Sequence, residues 1–299
     1  MFASENPTEI TVRMQSSHEI LSFNIEASKE GGPFNKGPAG SFVLFLEVAV
    51  LEIKVLTFNI HHGRGTDRKV DLGRIASVIE KSGADVVGLN EVDVCYSKRS
   101  GFLNQVDWLS ETLDMNKLFG ATMTLGAWNN TFLRQYGNAL LSRYPIVFEA
   151  NSLFRPHRSV FEKRGLLEAN VDVHGQLIKI FVTHLSLGPV LKNRQIGFLL
   201  GKLGETRLPV ILMGDFNMKP GSRPWKKITG TLTDVCHFAF SAPCNTFPSY
   251  QPKVQLDYIF VSSHFCIGPV RFLKQWDTAS DHLPIRATLH LKRTLETER

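Results

Sequence analysis

Three short blocks concentrate the residues best suited to chemistry: Gly214-Asp215-Phe216-Asn217, Leu256-Asp257-Tyr258 and Ser280-Asp281-His282. Each adjoins an apolar run, namely Pro209-Val210-Ile211-Leu212-Met213, Tyr258-Ile259-Phe260-Val261 and Leu283-Pro284-Ile285. Strands that are buried along their length and polar at their tips place a site at one edge of a sheet. Hard carboxylate oxygens with an imidazole suit Mg²⁺ and an activated water, which is the chemistry of phosphate-ester hydrolysis.

Three further polar residues fall where an apolar run meets a loop. Asn59 ends Ile53-Lys54-Val55-Leu56-Thr57-Phe58, Glu91 follows the run Asp85–Leu89, and His184 ends Ile180-Phe181-Val182-Thr183. Singly each has a bland use: a turn cap for Asn59, a solvated acid for Glu91, an exposed ring for His184. Asn59, Glu91, His184, Asp215, Asn217, Asp257, Asp281 and His282 all share this placement, and that is hard to reach by chance.

The elements that must position these residues follow from periodicity. Ile53–Ile60 reads as a strand; Leu72, Ile75, Ala76, Val78 and Ile79 fall on one helical face behind Asp71, a suitable N-cap. A short strand is expected at Asp85–Leu89 and a helix through Val106, Leu109 and Leu113. Strands follow at 136–142, 146–154, 165–173 and 177–184, with turn signals Arg143-Tyr144-Pro145 and His174-Gly175 between them. A helix carries Gln195, Phe198, Leu199 and Leu203, and strands at 210–213, 258–261, 267–272 and 284–291 close the pattern. Many strands with few helices fit a layered α/β domain of two packed sheets.

The chain has 299 residues, 43% of them hydrophobic and 21% charged, and so has ample length for a large core. Residues 1–50 hold three basic and six acidic groups; residues 51–299 hold 31 basic and 22 acidic ones, a balance of +9. A basic domain favours anionic partners such as phosphates, nucleic acid or anionic lipid headgroups. Cys95, Cys236, Cys244 and Cys266 show no CxxC pair and no regular spacing, so no disulfide framework or zinc site is expected and a reducing, cytoplasmic setting fits. No apolar run reaches the ~18–20 residues of a membrane span, so neither insertion nor a membrane anchor is expected. Residues 1–50 lack a sustained period and read as a poorly ordered extension. The domain spans 51–292, and 293–299 form a charged tail. The abrupt start at Leu51-Glu52-Ile53-Lys54, preceded by Leu46-Glu47-Val48, which can be encoded with a ribosome-binding sequence, places residues 1–50 upstream of the expected native start.

The blocks Thr57-Phe58-Asn59, Leu89-Asn90-Glu91, Thr183-His184-Leu185, Gly214-Asp215-Phe216-Asn217, Leu256-Asp257-Tyr258 and Ser280-Asp281-His282-Leu283-Pro284 resemble the endonuclease/exonuclease/phosphatase superfamily. The resemblance runs in order from Glu52 to about Leu291 and implies a four-layered αββα sandwich of two packed mixed sheets flanked by helices, as in deoxyribonuclease I. It implies Glu91 as the principal Mg²⁺ ligand with Asn59 and Asp281 nearby, Mn²⁺ being a substitute. It also implies Asp215 as the group that orients or deprotonates the attacking water. Asn217 would hold the scissile phosphate, His282 oriented by Asp257 would form the catalytic dyad, and His184 would contact a phosphoryl oxygen. In-line attack on phosphorus needs charge neutralisation and positioning above all.

Leu89-Asn90-Glu91 stands where Leu-Gln-Glu is usual, which touches only the fine positioning of the strand end. Exonuclease III-type repair enzymes carry an Asn-Gly after the first-strand Asn, a Lys after the metal Glu, and no His at the Thr-His-Leu position. This chain has His61-His62-Gly63, Val92-Asp93 and His184, which argues against abasic-site repair. Phe58–Gly63, Tyr136–Ser142 and Arg164-Gly165-Leu166-Leu167 resemble compact bacterial hydrolases near the sphingomyelinases and deoxyribonuclease I. Asn138 and Arg164 are expected on neighbouring strands facing the substrate, Arg164 as a phosphate clamp. The basic loop Arg155-Pro156-His157-Arg158 and Lys163 add charge, and Trp128 and Phe132 are better suited to packing than to base or lipid contact. The expected function is a monomeric, Mg²⁺-dependent phosphodiesterase acting on nucleic acid or a phospholipid headgroup. A phosphomonoesterase is the alternative, and a non-catalytic binding module stands behind both.

Overall fold

Residues 11–17, 20–26, 51–128, 132–154 and 163–292 are described by a computed structural model of the chain. In the leader, where the sequence suggests no order, the structure pairs β1 (Thr11–Ser17) with β2 (Ile20–Glu26) as an antiparallel hairpin, from Ser17 opposite Ile20 to Thr11 opposite Glu26. The alternation of Val12 and Met14, and of Leu21, Phe23 and Ile25, with polar residues is the strand signal there. The remaining elements belong to the compact unit Leu51–Lys292.

That unit begins with β3 (Leu51–Asn59), α1 (Leu72–Ser82), β4 (Val86–Val94), α2 (Gln105–Leu113), β5 (Asn116–Trp128) and β6 (Phe132–Ser142). It continues with β7 (Ile146–Phe154), β8 (Arg164–Val173), β9 (Gln176–His184), α3 (Pro189–Gly204) and β10 (Val210–Asp215). The last elements are α4 (Arg223–Thr229), β11 (Thr233–Asp234), α5 (Val235–Phe240), β12 (Asp257–Val261), β13 (Phe265–Phe272) and β14 (Ile285–Leu291). Two six-stranded sheets result, in the orders β13-β14-β3-β4-β6-β5 and β11-β12-β10-β9-β8-β7. Both are mixed: β3 runs parallel to β4 and β10 parallel to β9, and the other pairs are antiparallel.

The layering follows from strands that are apolar on both faces. Successive side chains of a strand point to opposite sides. Val55, Val86, Ile180 and Ile211 therefore enter the core between the sheets. Their neighbours Leu56 and Val87 meet Ile75, Val78, Ile79, Val106 and Leu109 of α1 and α2. On the other outer face Phe181, Leu212 and Phe260 meet Ile196, Leu199, Leu203 and Ile228 of α3 and α4. This is the expected four-layered αββα sandwich. Asp71 caps α1 as its side chain accepts from the Arg74 amide at 3.1 Å, and Gly83 closes the helix at φ 63°.

The elements of this unit that sequence periodicity does not reveal are β5, whose run is broken by Gly120 and Gly126, the two-residue β11, and α4 and α5, which are too short to display a 3.6-residue period. The strand expected to end at Leu89 instead continues to Val94 through a register shift between Leu89 and Val92. One expectation from the cysteines is overturned. Cys236 and Cys244 form a disulfide between α5 and the loop that follows, both buried, while Cys95 and Cys266 are free. The left-handed Ser241 at the end of α5 turns the chain back so that the two meet, a geometry that spacing alone does not disclose. Disulfides are exceptional in reducing compartments, so the cysteines do not support a reducing setting. Among the described residues no helix is long and apolar enough to cross a membrane.

Candidate active site

The parallel pairs β3–β4 and β9–β10 end at the same rim, with Asn59 opposite Asn90 and Asp215 opposite His184. β12 and β14 run antiparallel to β10 and β3, so the starts of β12 and β14 arrive where the others finish. Asp257 thereby lies opposite Asp215, and Ser280-Asp281-His282 leads into Ile285, which pairs with Thr57. Eight residues from distant parts of the chain thus meet at the rim. Gly214 is required at the last step of β10: its φ is 138°, and a Cβ there would overlap the Thr183 carbonyl oxygen.

Buried amides join the two sheets under this rim. Asn59 Nδ2 donates to Asp215 Oδ2 at 3.1 Å and to Glu91 Oε1 at 3.2 Å, and its Oδ1 accepts from the His61 amide at 3.1 Å. Asn59, expected as a metal ligand, therefore faces the carboxylates through its nitrogen and bridges them. Asn90, fully buried, accepts from the Asp215 amide at 2.8 Å and donates to Thr183 O at 3.0 Å and Asn138 Oδ1 at 2.9 Å. Asn138 Nδ2 in turn donates to Gly165 O at 3.2 Å. Asn138 and Arg164, expected on neighbouring strands, belong instead to opposite sheets, on β6 and β8. Asn138 is 2% exposed and engaged with Asn90, so it stitches the sheets together beneath the rim. No sequence signature distinguishes an Asn that caps a turn from one that clamps two sheets, so this part of the Asn90 role is visible only in the fold.

At the centre lies Asp215, 2% exposed. Burial and the Asp257 carboxylate raise its pKa; His282, the Asn217 amide at 2.9 Å and Asn59 act against that rise. His282 Nδ1 lies 2.7 Å from Asp257 Oδ2, and His282 Nε2 lies 3.8 Å from Asp215 Oδ2. Burial disfavours a charged His282 ring, but the charge and hydrogen bond of Asp257, with Asp215 and Asp281, outweigh it and push the pKa up to about 10. The Phe247 ring, 4.9 Å away between centroids, covers that imidazole.

His184 has the opposite polarity. Arg164 Nη1 lies 2.9 Å from His184 Nδ1, and a guanidinium can only donate, so Nδ1 accepts and Nε2 carries the proton. That Nε2 is 3.3 Å from Asp215 Oδ2 and 3.2 Å from Asn217 Nδ2. Burial, Arg164 and His282 hold the His184 pKa well below its usual value, so the ring is neutral. Asn217, at φ 47°, donates to Leu185 O at 3.0 Å, and its own carbonyl accepts from Lys192 Nζ. Asp215 is thus flanked by one imidazolium and one neutral imidazole.

The outer part of the site holds Glu91 and Asp281. Glu91 sits in the bulge of β4 with φ 61°, the kind of distortion that re-aims a side chain at a functional edge. Asp281 Oδ1 is 3.4 Å from His61 Nδ1, and its side chain is 40% exposed. Donor atoms of His61, His62 and Glu91 lie within 4.8 Å of one another. Among the described residues no Lys or Arg pairs with Glu91 or Asp281. Uncompensated hard carboxylates at an open rim, with imidazole beside them, are a donor set that fits a divalent cation. His61 and His62 are site residues that sequence reasoning did not assign; their signal was the His-His-Gly that follows Asn59, and both take left-handed backbone angles (φ 44° and 46°). Phe132 packs its ring 6.0 Å from that of Phe102. The Trp128 side chain and the loop Arg155–Arg158 lie outside the described residues.

Comparison with known proteins agrees with this construction. A model described as the endonuclease/exonuclease/phosphatase family matches residues 56–282. The chain is 29% identical over 252 residues to the protein YbhP of Escherichia coli, covering 80% of this chain and 96% of that one. An endonuclease/exonuclease/phosphatase structure from Beutenbergia cavernae superposes with a TM-score of 0.66 at 25% identity, over 81% of this chain and 72% of that one. At 17% identity, the structure of ANGEL2, a 2′,3′-cyclic phosphatase in complex with adenosine-2′,3′-vanadate, shares the fold with a TM-score of 0.63, over 82% of this chain and 97% of its own. With the family's pattern matched across most of its length, and its polar residues gathered at one rim of two packed sheets, the chain belongs to the endonuclease/exonuclease/phosphatase family.

Proposed function

We propose that this protein is a Mg²⁺-dependent phosphodiesterase that cleaves its substrate by in-line attack of water on phosphorus. The observation that carries this reading is the setting of Asp215, whose Oδ2 lies 3.3 Å from His184 Nε2 and 3.8 Å from His282 Nε2. A buried carboxylate with a raised pKa is suited to accept a proton from an attacking water. Asn59 and the Asn217 amide hold that carboxylate in one orientation. His282, charged through Asp257, presents Nε2 as a donor to a phosphoryl oxygen that gains negative charge. His184 keeps its proton on Nε2 because Arg164 occupies Nδ1, so it too donates. Glu91 and Asp281 would hold Mg²⁺, with Asn59 fixing the Glu91 carboxylate and Mn²⁺ serving as a substitute. The bound ion supplies charge neutralisation at the phosphate.

The test is hydrolysis of bis-p-nitrophenyl phosphate by the purified protein in Mg²⁺, beside p-nitrophenyl phosphate. We expect turnover that a chelator abolishes and Mg²⁺ or Mn²⁺ restores, with the diester preferred. Turnover that survives chelation, or that Glu91→Ala leaves intact, overturns the metal assignment. A clear preference for the monoester moves the protein to the phosphomonoesterase reading.

A further inference from the structure

The site does not end at the metal-side carboxylates. Beside them opens a cleft of about 510 Å³ lined by His61, His62, Arg64, Arg68, Val70 and Arg99. We propose that this cleft is a subsite for a second phosphate group on the substrate, next to the phosphate that reacts. The proposal rests on the phosphoesterase reading and narrows it to substrates that carry two phosphates.

The charge balance favours an anion. Arg64 and Arg68 pair with no carboxylate among the described residues. The acids of their own loop are already engaged: Asp67 binds Arg74 through Oδ2 at 2.9 Å and Oδ1 at 3.1 Å, and Asp71 Oδ2 lies 3.4 Å from Arg74 Nε. Arg99 is held in place by Asp93, at 2.9 Å from Nε and 2.6 Å from Nη2, and by the Tyr96 ring 4.5 Å beneath its guanidinium. That edge of Arg99 is taken by Asp93, which fixes the guanidinium beside the cleft, and the two further guanidinium groups of Arg64 and Arg68 line the cleft without a carboxylate partner. Guanidinium groups match phosphate oxygens in geometry as well as charge.

The cleft is built before any ligand arrives. The loop that carries Arg64 and Arg68 closes on itself through Gly65 N to Lys69 O, Arg68 N to Gly65 O and Asp71 N to Gly63 O, each 2.9 Å. It is tied to the neighbouring loop through Thr66 N to Thr278 O at 3.2 Å. Gln105, fully buried, donates to His62 O at 2.8 Å and accepts from the Asp93 amide at 3.0 Å, which locks the His61–Gly63 turn. His62 is 6% exposed, and its Nδ1 is buried without a partner. An unpaired polar atom in that position has a cost that a bound ligand would remove.

The rival occupant is a second cation on His61, His62 and Glu91. The surroundings of His62 oppose it. Arg64, Arg68 and Arg99 line the same cleft, and three guanidinium groups around it oppose a second cation by charge. His61 links the two parts of the site, with Nδ1 3.4 Å from Asp281 Oδ1, so an anion in the cleft adjoins the metal-side carboxylates.

The experiment compares thymidine 5′-monophosphate with thymidine 3′,5′-bisphosphate, and inositol monophosphate with an inositol bisphosphate, by calorimetry on the full chain in chelator. A parallel set of rates uses thymidine 5′-p-nitrophenyl phosphate with and without a 3′-phosphate. We expect the second phosphate to tighten binding about tenfold in at least one pair, the scale of one or two charge-assisted contacts. In the folded Arg64→Ala/Arg68→Ala variant that advantage should fall below about twofold. The pair that shows the advantage assigns the substrate to nucleotides or to small polyol phosphates. An advantage absent from both pairs, or one that survives in the double variant, overturns the subsite. If the second phosphate tightens binding but no p-nitrophenyl ester is cleaved with Mg²⁺, the subsite stands and the phosphodiesterase reading fails.

Discussion

The inner and outer halves of the site are built on different terms. The inner half, Asp215, Asp257, His282 and His184, lies at most 6% exposed, and most of its polar atoms meet a protein partner. Its geometry comes largely from regular strand register, and its pKa shifts from burial and from close charges of both signs. The outer half, Glu91, Asp281, His61 and His62, stands at a rim where Asp281 is 40% exposed. Its backbone leaves regular geometry, with left-handed angles at His61, His62 and Glu91, and an imidazole nitrogen of His62 is buried unpaired. In the proposed reaction the enclosed groups would hold a proton in one place, and the open carboxylates Glu91 and Asp281 would accept and release an ion.

The sharpest way to break this contrast is to remove one member of each half. Glu91→Ala should fold with an unchanged melting temperature and lose at least about 10³-fold in kcat, since hard-ligand charge at the phosphate is lost. Stopped assays beside thermal melts check both halves of that statement, and a variant that melts early would show Glu91 to be structural. His282→Ala should lose about 10²-fold or more in kcat and in addition about 3 kcal/mol of stability, because the Asp257 carboxylate, fully buried and with Oδ1 unpaired, is left without its counter-charge. Asp257→Asn placed on top of His282→Ala should recover most of that stability and none of the rate. If the single variant is as stable as the parent, the inner half is not held by this ion pair.

A smaller effect is expected where the two sheets are joined. Asn90→Ala removes the acceptor of the Asp215 amide and should cost about 1–3 kcal/mol in denaturant unfolding. We expect kcat to fall with it, about tenfold, through the loosened Asp215. Equal stability with reduced kcat would make Asn90 a positioning residue alone. Smallest for activity is Cys236→Ser with Cys244→Ser, far from the rim in function: about 2 kcal/mol of stability from the short closed loop, with kcat unchanged. A change in rate there would mean that the loop after α5 communicates with the site.

Much of this arrangement is legible from residue order. The runs before Asn59 and Asp215 and the run after Asp257 are strands because they are apolar on both faces, and such strands need covering layers on each side. Asn59, Glu91, His184, Asp215, Asn217, Asp257, Asp281 and His282 stand out since each interrupts such a run where burial would be costly without a purpose. The short helices α4 and α5 and the glycine-broken β5 leave too weak a period to read. The Cys236–Cys244 pairing depends on a turn whose closure no spacing rule specifies.

Residue types and their order determined the αββα layering, the family and the membership of the inner site, because hydrophobic period and strand-tip chemistry are local properties of the chain. The tertiary structure alone decided that Asn138 and Arg164 belong to opposite sheets and that Asn59 turns its nitrogen to the carboxylates. It also decided that His184 carries its proton on Nε2, and that Arg64 and Arg68 share a cleft with His61 and His62 beside Glu91 and Asp281. Each of these depends on which groups meet across long sequence separations, and charge and hydrogen bonding act through space rather than along the chain.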